Sequence, residues 1–370
     1  MMSKIGKAHL LRITPYRPGK PIEEVKRELG IDDVVKLASN ENPVPPSKSV
    51  LKAIAKAARE VNRYPDGSCF YLKRALAKSL KISAEEIALG NGSDELIVLA
   101  LRAFAAKGDE MIIAKPTFTV YGIAAGVEGV VVREVPRRAD FSYDVDAMLS
   151  AVNKKTKIVF IANPDNPTGS YMNKADLDRF IHGMPSDIVI FLDEAYYEYA
   201  KGGDYPESLK WIKHPGKNVV VARTFSKAYG LAGLRLGYVM AKPSTINMFN
   251  KVREPFNVNS IAQAAGLAAL KEKKYVNDSV RHVHAEKKRF YSFFKKLGIG
   301  YVNSKANFVL VNTERDSQEV FKFLLKNGII TRDMAFWGLP GYIRMNIGLK
   351  KENERFFKVF ERAVKGIAKG

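Results

Sequence analysis

Through the middle of the chain, short apolar runs closed by small or polar residues alternate with segments that read as helices. The runs occupy residues 87–89, 111–114, 130–135, 157–162, 188–192, 219–222 and 237–241. Near-continuous β-branched stretches of this length suit strands buried on both faces. Their alternation with helices predicts an α/β domain whose sheet is mostly parallel.

Beyond these runs the pattern changes. Residues 271–297 read as one long charged helix, followed by strands near 307–311 and 342–347 and helices at 318–327 and 352–368. That is the pattern of a smaller α+β domain. Pro15, Pro18 and Pro21 make the first residues extended rather than helical, and the segment is expected to return to the smaller domain. The chain therefore divides into an N-terminal segment (1–40), a large domain (41–265) and a small C-terminal domain (266–370).

The chain has 370 residues, 46% hydrophobic and 27% charged, which is enough to bury a large core across two domains. A single cysteine, Cys69, excludes an internal disulfide and points to a reducing compartment. No N-terminal apolar run is long enough for a signal peptide and no stretch suits a bilayer span. A soluble, cytoplasmic protein without a membrane partner is expected. The formal net charge of +21 raises the question of nucleic acid. The lysines and arginines are scattered, however, and no nucleic-acid motif accompanies them, so no nucleic-acid partner is expected. A positive field also attracts a doubly charged phosphate substrate.

In open α/β sheets, ligands bind beyond the carboxyl ends of the strands, so the polar residues after each run carry the chemistry. After 87–89 come Gly90, Asn91, Gly92, Ser93 and Asp94 before an apolar helical run. That is a place where backbone N–H groups and a helix dipole can meet an anion, or simply an N-cap. After 157–162, Asn163-Pro164-Asp165-Asn166-Pro167-Thr168-Gly169 makes a rigid turn that fixes the Asn166 amide, or a plain loop. Asp193 ends the 188–192 run, with Tyr196 three positions on. A carboxylate there needs a proton donor or a cation: a protonated ring nitrogen would serve, and so would an arginine. After 219–222, Thr224, Ser226, Lys227 and Arg235 stand beside flexible glycines. A partly desolvated lysine near positive charge has a lowered pKa suited to Schiff-base chemistry, and its hydroxyl and guanidinium neighbours suit a phosphate. A basic surface turn is the alternative. Arg344 lies on an alternating strand that presents it on one face. Paired with Arg332, it suits a phosphate through bidentate bonds; a structural ion pair is the alternative for both arginines, and for Arg332 it stands almost level.

With these residues in this order, the chain resembles the fold-type I pyridoxal-phosphate aminotransferases over essentially its whole length. The resemblance implies a large domain with a mostly parallel seven-stranded sheet plus a smaller α+β domain. It implies pyridoxal 5'-phosphate as cofactor, carried by Lys227 as a Schiff base. Asp193 would pair with the ring nitrogen, and Asn166 and Tyr196 with the ring oxygen. Thr224, Ser226, Arg235 and the backbone at Gly92-Ser93 would bind the cofactor phosphate. Phe118, in Pro116-Thr117-Phe118, matches the ring that stacks on the cofactor; many relatives have tyrosine there, so the stacking is kept and a hydroxyl lost.

Within that superfamily the chain is most similar to the histidinol-phosphate aminotransferases. The matching segments begin at Pro15-Tyr16-Arg17-Pro18-Gly19-Lys20, Leu37-Ala38-Ser39-Asn40-Glu41-Asn42-Pro43 and Arg63-Tyr64-Pro65-Asp66-Gly67. Pro255-Phe256-Asn257-Val258-Asn259, Thr331-Arg332-Asp333 and the segment around Arg344 complete them. The resemblance implies a homodimer in which Tyr64 reaches the cofactor phosphate of the neighbouring subunit. Arg332 and Arg344 would bind the substrate phosphate, Tyr16 would close over it, and Asn257 and Tyr16 are candidates to contact the imidazole. The implied reaction is L-histidinol phosphate plus 2-oxoglutarate to imidazole-acetol phosphate plus L-glutamate, by a ping-pong cycle with Lys227 as base and acid. An aromatic amino-acid aminotransferase on the same scaffold is the nearest rival, with a related decarboxylase behind it. A cofactor-binding transcription regulator is a distant one, because no helix-turn-helix domain precedes the motifs. His282 and His284 do not share a helix face, His9, His182 and His214 lack partners at metal spacing, and Cys69 lacks an activating base. Neither a metal nor thiol catalysis is expected.

Overall fold

A computed structural model describes residues 7–367. The amino-terminal segment holds β1 (Val35–Lys36). The seven apolar runs become β2 (Ile87–Gly90), β3 (Glu110–Lys115), β4 (Val131–Pro136), β5 (Thr156–Ala162), β6 (Val189–Asp193), β7 (Asn218–Thr224) and β8 (Gly237–Met240). They form one sheet in the order β2-β8-β7-β6-β5-β3-β4, parallel throughout except for β8, which runs antiparallel to both neighbours. Successive side chains point to opposite faces of a strand, and both faces are covered. Ile112, Val159, Ile190 and Val221 enter one core, while Met111, Phe160, Phe191 and Val220 enter the other.

β4 departs from the expectation of burial on both faces. It is the edge strand, and only Val135 in it is buried. A valine run fits an edge as readily as a centre, since strand propensity says nothing of position in the sheet.

The carboxyl-terminal part contributes β9 (Phe308–Asn312), β10 (Ile329–Ile330), β11 (Arg332–Asp333) and β12 (Tyr342–Asn346). β11, β12 and β9 make an antiparallel sheet in that order. The helices Lys273–Leu297, Ser317–Lys326 and Lys350–Gly366 flank it. The expected end of the last helix, Ala368, lies outside the described residues. Phe290, Phe294, Phe356 and Phe360 fill the core between the first and last of these helices and the sheet, and Val35 and Leu37 join them.

The amino-terminal segment meets this part through a parallel pairing of β1 with β10. Residues 13–20 contain no helix, and Pro21 caps the helix Ile22–Leu29. The expectation of a wholly extended start is corrected by the short 3-10 turn Ala8–Arg12. It precedes the first proline and is free of the constraint those rings impose. Among the described residues no helix is long and apolar enough to cross a membrane.

Candidate active site

The carboxyl ends of β3, β5, β6 and β7 open on one cavity of about 340 Å³, walled on its far side by β12 and by residues 38–41. Parallel strands bring their ends together without regard to sequence distance, so turns far apart in the chain share this space.

Lys227 lies three residues beyond β7 and lines the cavity. Burial, followed by the charge of Arg344, pulls its pKa down to about 8. Asp193, the last residue of β6, is only 5% exposed. Its carboxylate accepts the Tyr121 hydroxyl at 2.7 Å and the Ala195 N–H at 3.1 Å. Burial pushes its pKa up to about 6, against those two donors. Among the described residues no cation lies within ion-pair distance of it. The arginine that the sequence offered as an alternative partner pairs with the next residue instead: Arg223 bonds Glu194 at 2.7 and 2.8 Å.

The same cavity wall gathers backbone N–H, hydroxyl and guanidinium donors suited to an anion. The helix Ser93–Phe104 begins after Gly92, which sits at φ +83° and gives no side-chain cap, so the first-turn N–H groups keep their positive end. The Ser226 N–H donates to the Thr224 hydroxyl at 3.1 Å, and the two hydroxyls lie 3.0 Å apart. Arg235 adopts a left-handed φ of +53°, uncommon for a side-chain-bearing residue, and donates to Asp94 at 3.0 Å and to the Ala232 carbonyl at 3.2 Å. Two glycines keep this corner open. A Cβ on Gly92 would stand 2.6 Å from the Arg235 guanidinium, and one on Gly237 would stand 2.6 Å from the Ser93 nitrogen.

On the opposite wall, β11 and β12 place Arg332 directly across from Arg344. Like charges facing each other across a strand pair are unfavourable, and an anion between them would relieve the repulsion. Arg344 is 5% exposed and donates to the Asn166 side-chain oxygen and to the Ala38 carbonyl at 2.8 Å, while its Nε has no acceptor. Burial and then Arg332 draw its pKa down to about 10 despite the phenol of Tyr196, and among the described residues it has no carboxylate partner. Among the described residues Arg332 lacks the structural ion pair that the sequence left open for the arginines; its guanidinium donates to the Arg17 carbonyl and lies 6.0 Å from the Tyr16 ring. Tyr196 accepts the Asn40 amide at 2.9 Å, and Phe118 packs edge-on against Tyr121. Tyr16, Phe118, Asn166, Tyr196, Thr224 and Ser226 all face the cavity.

Two expected site residues are elsewhere in the single chain. Asn257 does not line the cavity; its amide donates to Glu95 at 2.7 Å and to the Leu89 carbonyl at 3.2 Å. Those bonds fasten the loop to the start of the Ser93–Phe104 helix, which corrects its expected contact with substrate within one chain. Tyr64 is 84% exposed and stacks on Phe256 at 4.8 Å, away from the cavity.

Sequence reasoning missed several supporting groups. Tyr121, one helical turn after Phe118, could have been found from that spacing. Asn40 gave no signal of its own. The buried ion pair of Arg137, the residue after β4, with Asp165 in the turn bearing Asn166, at 2.8 Å, has no local signature, and Arg137 also donates to the Pro116 carbonyl in the loop after β3. His282 and His284 each meet a backbone carbonyl at 2.8 Å, and burial pushes the Cys69 thiol up to about 11.

Residues 32–360 match the family model for aminotransferase class I and II. The chain is 46% identical over 350 residues to a histidinol-phosphate aminotransferase of Moorella thermoacetica, covering 94% of this chain and 90% of that one. It is 43% identical over 356 residues to histidinol-phosphate aminotransferase 2 of Pseudomonas aeruginosa, covering 95% and 96%. The crystal structure of histidinol-phosphate aminotransferase from Sinorhizobium meliloti in complex with pyridoxal-5'-phosphate superposes with a TM-score of 0.90 at 28% identity, over 99% of both chains.

Proposed function

Because the chain belongs to the class I and II aminotransferases and, within them, to the histidinol-phosphate aminotransferases, we propose that it converts L-histidinol phosphate and 2-oxoglutarate to imidazole-acetol phosphate and L-glutamate in histidine biosynthesis. It is a pyridoxal-phosphate-dependent transaminase. The observation that carries the substrate assignment is Arg344: a buried guanidinium facing Arg332, with no acid beside it among the described residues, in the same cavity as Lys227.

The residues present fit pyridoxal phosphate. The cradle at Gly92, Ser93, Thr224, Ser226 and Arg235 suits a phosphate and would be filled by a Cβ at Gly92 or Gly237. Asp193 is a buried carboxylate with no cation at ion-pair distance among the described residues, suited to a protonated ring nitrogen. Asn166 and Tyr196 would hold the ring oxygen and Phe118 the ring face. When bound, the cofactor supplies an electron sink for the carbon that bears the substrate amine.

Lys227 acts at that carbon. A lysine whose pKa is drawn to about 8 is partly unprotonated near neutral pH, so Nζ can take the proton from the amine-bearing carbon and return it nearby. Asp193 holds its charge in place through the Tyr121 and Ala195 bonds. Arg344 and Arg332 orient the substrate by its phosphate, and the same guanidiniums receive the carboxylates of 2-oxoglutarate. Tyr16 stands at the cavity wall beside Arg332 and closes over the bound substrate. The enzyme acts in the cytoplasm as a homodimer, with Tyr64 reaching the partner's cradle.

A single-turnover experiment tests this. Holoenzyme is mixed separately with histidinol phosphate, phenylalanine, tyrosine and phosphothreonine while the cofactor absorbance is followed. Saturable conversion with histidinol phosphate at a kcat/KM at least about 100-fold above the others is expected, in line with recognition of a phosphate by paired guanidiniums. Preference for phenylalanine or tyrosine would move the enzyme to aromatic amino-acid transamination, and a Lys227→Ala variant that still turned over without added amine would overturn the mechanism.

A further inference from the structure

The environment of Arg344 poses a problem that the cavity alone does not solve. A buried guanidinium ordinarily has a carboxylate beside it, because an uncompensated charge away from water is costly. Among the described residues the two acceptors of Arg344, Asn166 Oδ1 and the Ala38 carbonyl, are both neutral. What surrounds the charge instead is aromatic. The guanidinium carbon lies 5.4 Å from the centre of the Phe308 ring and 5.6 Å from that of Trp337. Both distances fall within the range at which a ring face attracts a cation.

We propose that Trp337, together with Phe308, takes the place of a counter-ion for Arg344, and so is a positioning residue for the substrate's anionic group. The proposal rests on the reading of Arg344 as the substrate-anion site. A carboxylate at this place would neutralise the guanidinium and compete with the substrate for its N–H groups. An aromatic ring stabilises the same charge through its quadrupole and carries no net charge of its own. The guanidinium is therefore tolerated in the empty site and meets the incoming phosphate or carboxylate with its charge intact.

The structure holds Trp337 firmly in this role. It ends the short helical turn Ala335–Trp337 between β11 and β12, the two strands that carry Arg332 and Arg344. Its backbone N–H donates to the Met334 carbonyl at 2.9 Å, and Gly338 follows at φ +77° to turn the chain back. The indole packs with Leu310, Met334 and Leu339. Its ring lies 6.3 Å from Phe118, and Phe308 lies 5.3 Å from Tyr196. The anion-binding arginine is thus tied to the residues proposed to hold the cofactor ring, which fixes the distance between the substrate's two ends.

The test is a double-mutant cycle on holoenzyme. Trp337→Leu keeps apolar bulk and removes the ring face, and Trp337→Phe keeps a weaker face. With histidinol phosphate, Trp337→Leu is expected to raise KM about tenfold with kcat within about threefold, and Trp337→Phe to raise KM no more than about threefold. Inhibition by inorganic phosphate, used as a bare anion probe, should weaken in parallel. In an Arg344→Gln background, Trp337→Leu should change KM by less than about twofold, because the charge it supports is gone. An equal KM increase in both backgrounds would make Trp337 merely structural and overturn the proposal. So would a silent Trp337→Leu alongside an Arg344→Gln that raises KM. If Arg344→Gln itself leaves KM unchanged, the anion-site reading fails first and the proposal falls with it. Thermal melts of each variant separate these outcomes from misfolding.

Discussion

Asp193 illustrates how function and stability oppose each other at a single residue. Burial raises its folded pKa to about 6, above the ordinary carboxylate value of 3.8. The folded state therefore holds a proton between about pH 4 and about pH 6 that the unfolded chain has released, and stability falls as pH rises through that window. Above it, cofactor-free protein carries a buried carboxylate with no cation. Asp193→Asn is neutral and can still accept the Tyr121 hydroxyl. It should raise the stability of cofactor-free protein at about pH 7.5 by on the order of 2–3 kcal/mol, with the gain gone below about pH 4. Denaturant titrations across that range measure it, and equal stabilities at every pH would show that the carboxylate is not held at a cost. Transamination should drop at least about 100-fold, because the ring nitrogen loses its charged partner. The place of Asp193 and Lys227 at the cavity was legible in the sequence because the first ends a strand and the second lies three residues beyond one. Trp337 was not, because what it does depends on Arg344 and Phe308, which only the folded sheet brings to it, and the bond of Tyr121 to Asp193 spans 72 residues that local spacing does not reveal.

At the scale of elements, the seven strands of the large sheet were legible because central parallel strands must be apolar on both faces, as in β5 through β7. Their order was not, nor was the edge position of β4, since neighbours in a sheet are chosen by crossover connections rather than by composition. The turns between strands depend on contacts of the same long range. Arg137 bonds Asp165 at 2.8 Å, the Pro116 carbonyl at 2.8 Å and the Phe141 carbonyl at 3.1 Å. Asp165 in turn accepts Thr117 at 2.6 Å and Thr168 at 2.8 Å. The pair is fully buried and holds the loop of Phe118 against the turn of Asn166. Removing only one partner strands the other charge. Arg137→Leu should therefore cost about 3–5 kcal/mol in urea denaturation. A loss below about 1 kcal/mol would mean that water or a rearranged loop solvates Asp165.

For the whole molecule, a single chain leaves part of its own surface unexplained. Val61, Tyr64, Phe70, Tyr71 and Phe256 are exposed apolar side chains on the 61–71 segment and the loop that packs against Gly67. Exposed aromatic groups of this kind mark an interface, and the proposed homodimer would cover them. The role of Tyr64 was legible only through resemblance, because no pattern within one chain tells a residue serving its own site from one serving a neighbour's. Asn257 lies in a segment that matches the family, but within its own subunit its amide is engaged by Glu95 and the Leu89 carbonyl rather than by the cavity. If Tyr64 serves the partner's cradle, a Tyr64→Ala subunit and a Lys227→Ala subunit fail at different sites. In a mixed dimer, the intact Lys227 of the first meets the intact Tyr64 of the second, and one complete site forms. Each variant alone should be nearly inactive. After subunit exchange, an equal mixture should recover roughly a quarter of native activity, since about half the dimers are mixed and each carries one good site of two. Activity that stays at the level of the separate variants, with exchange verified by mass, would place Tyr64 in its own subunit's chemistry or outside the site altogether.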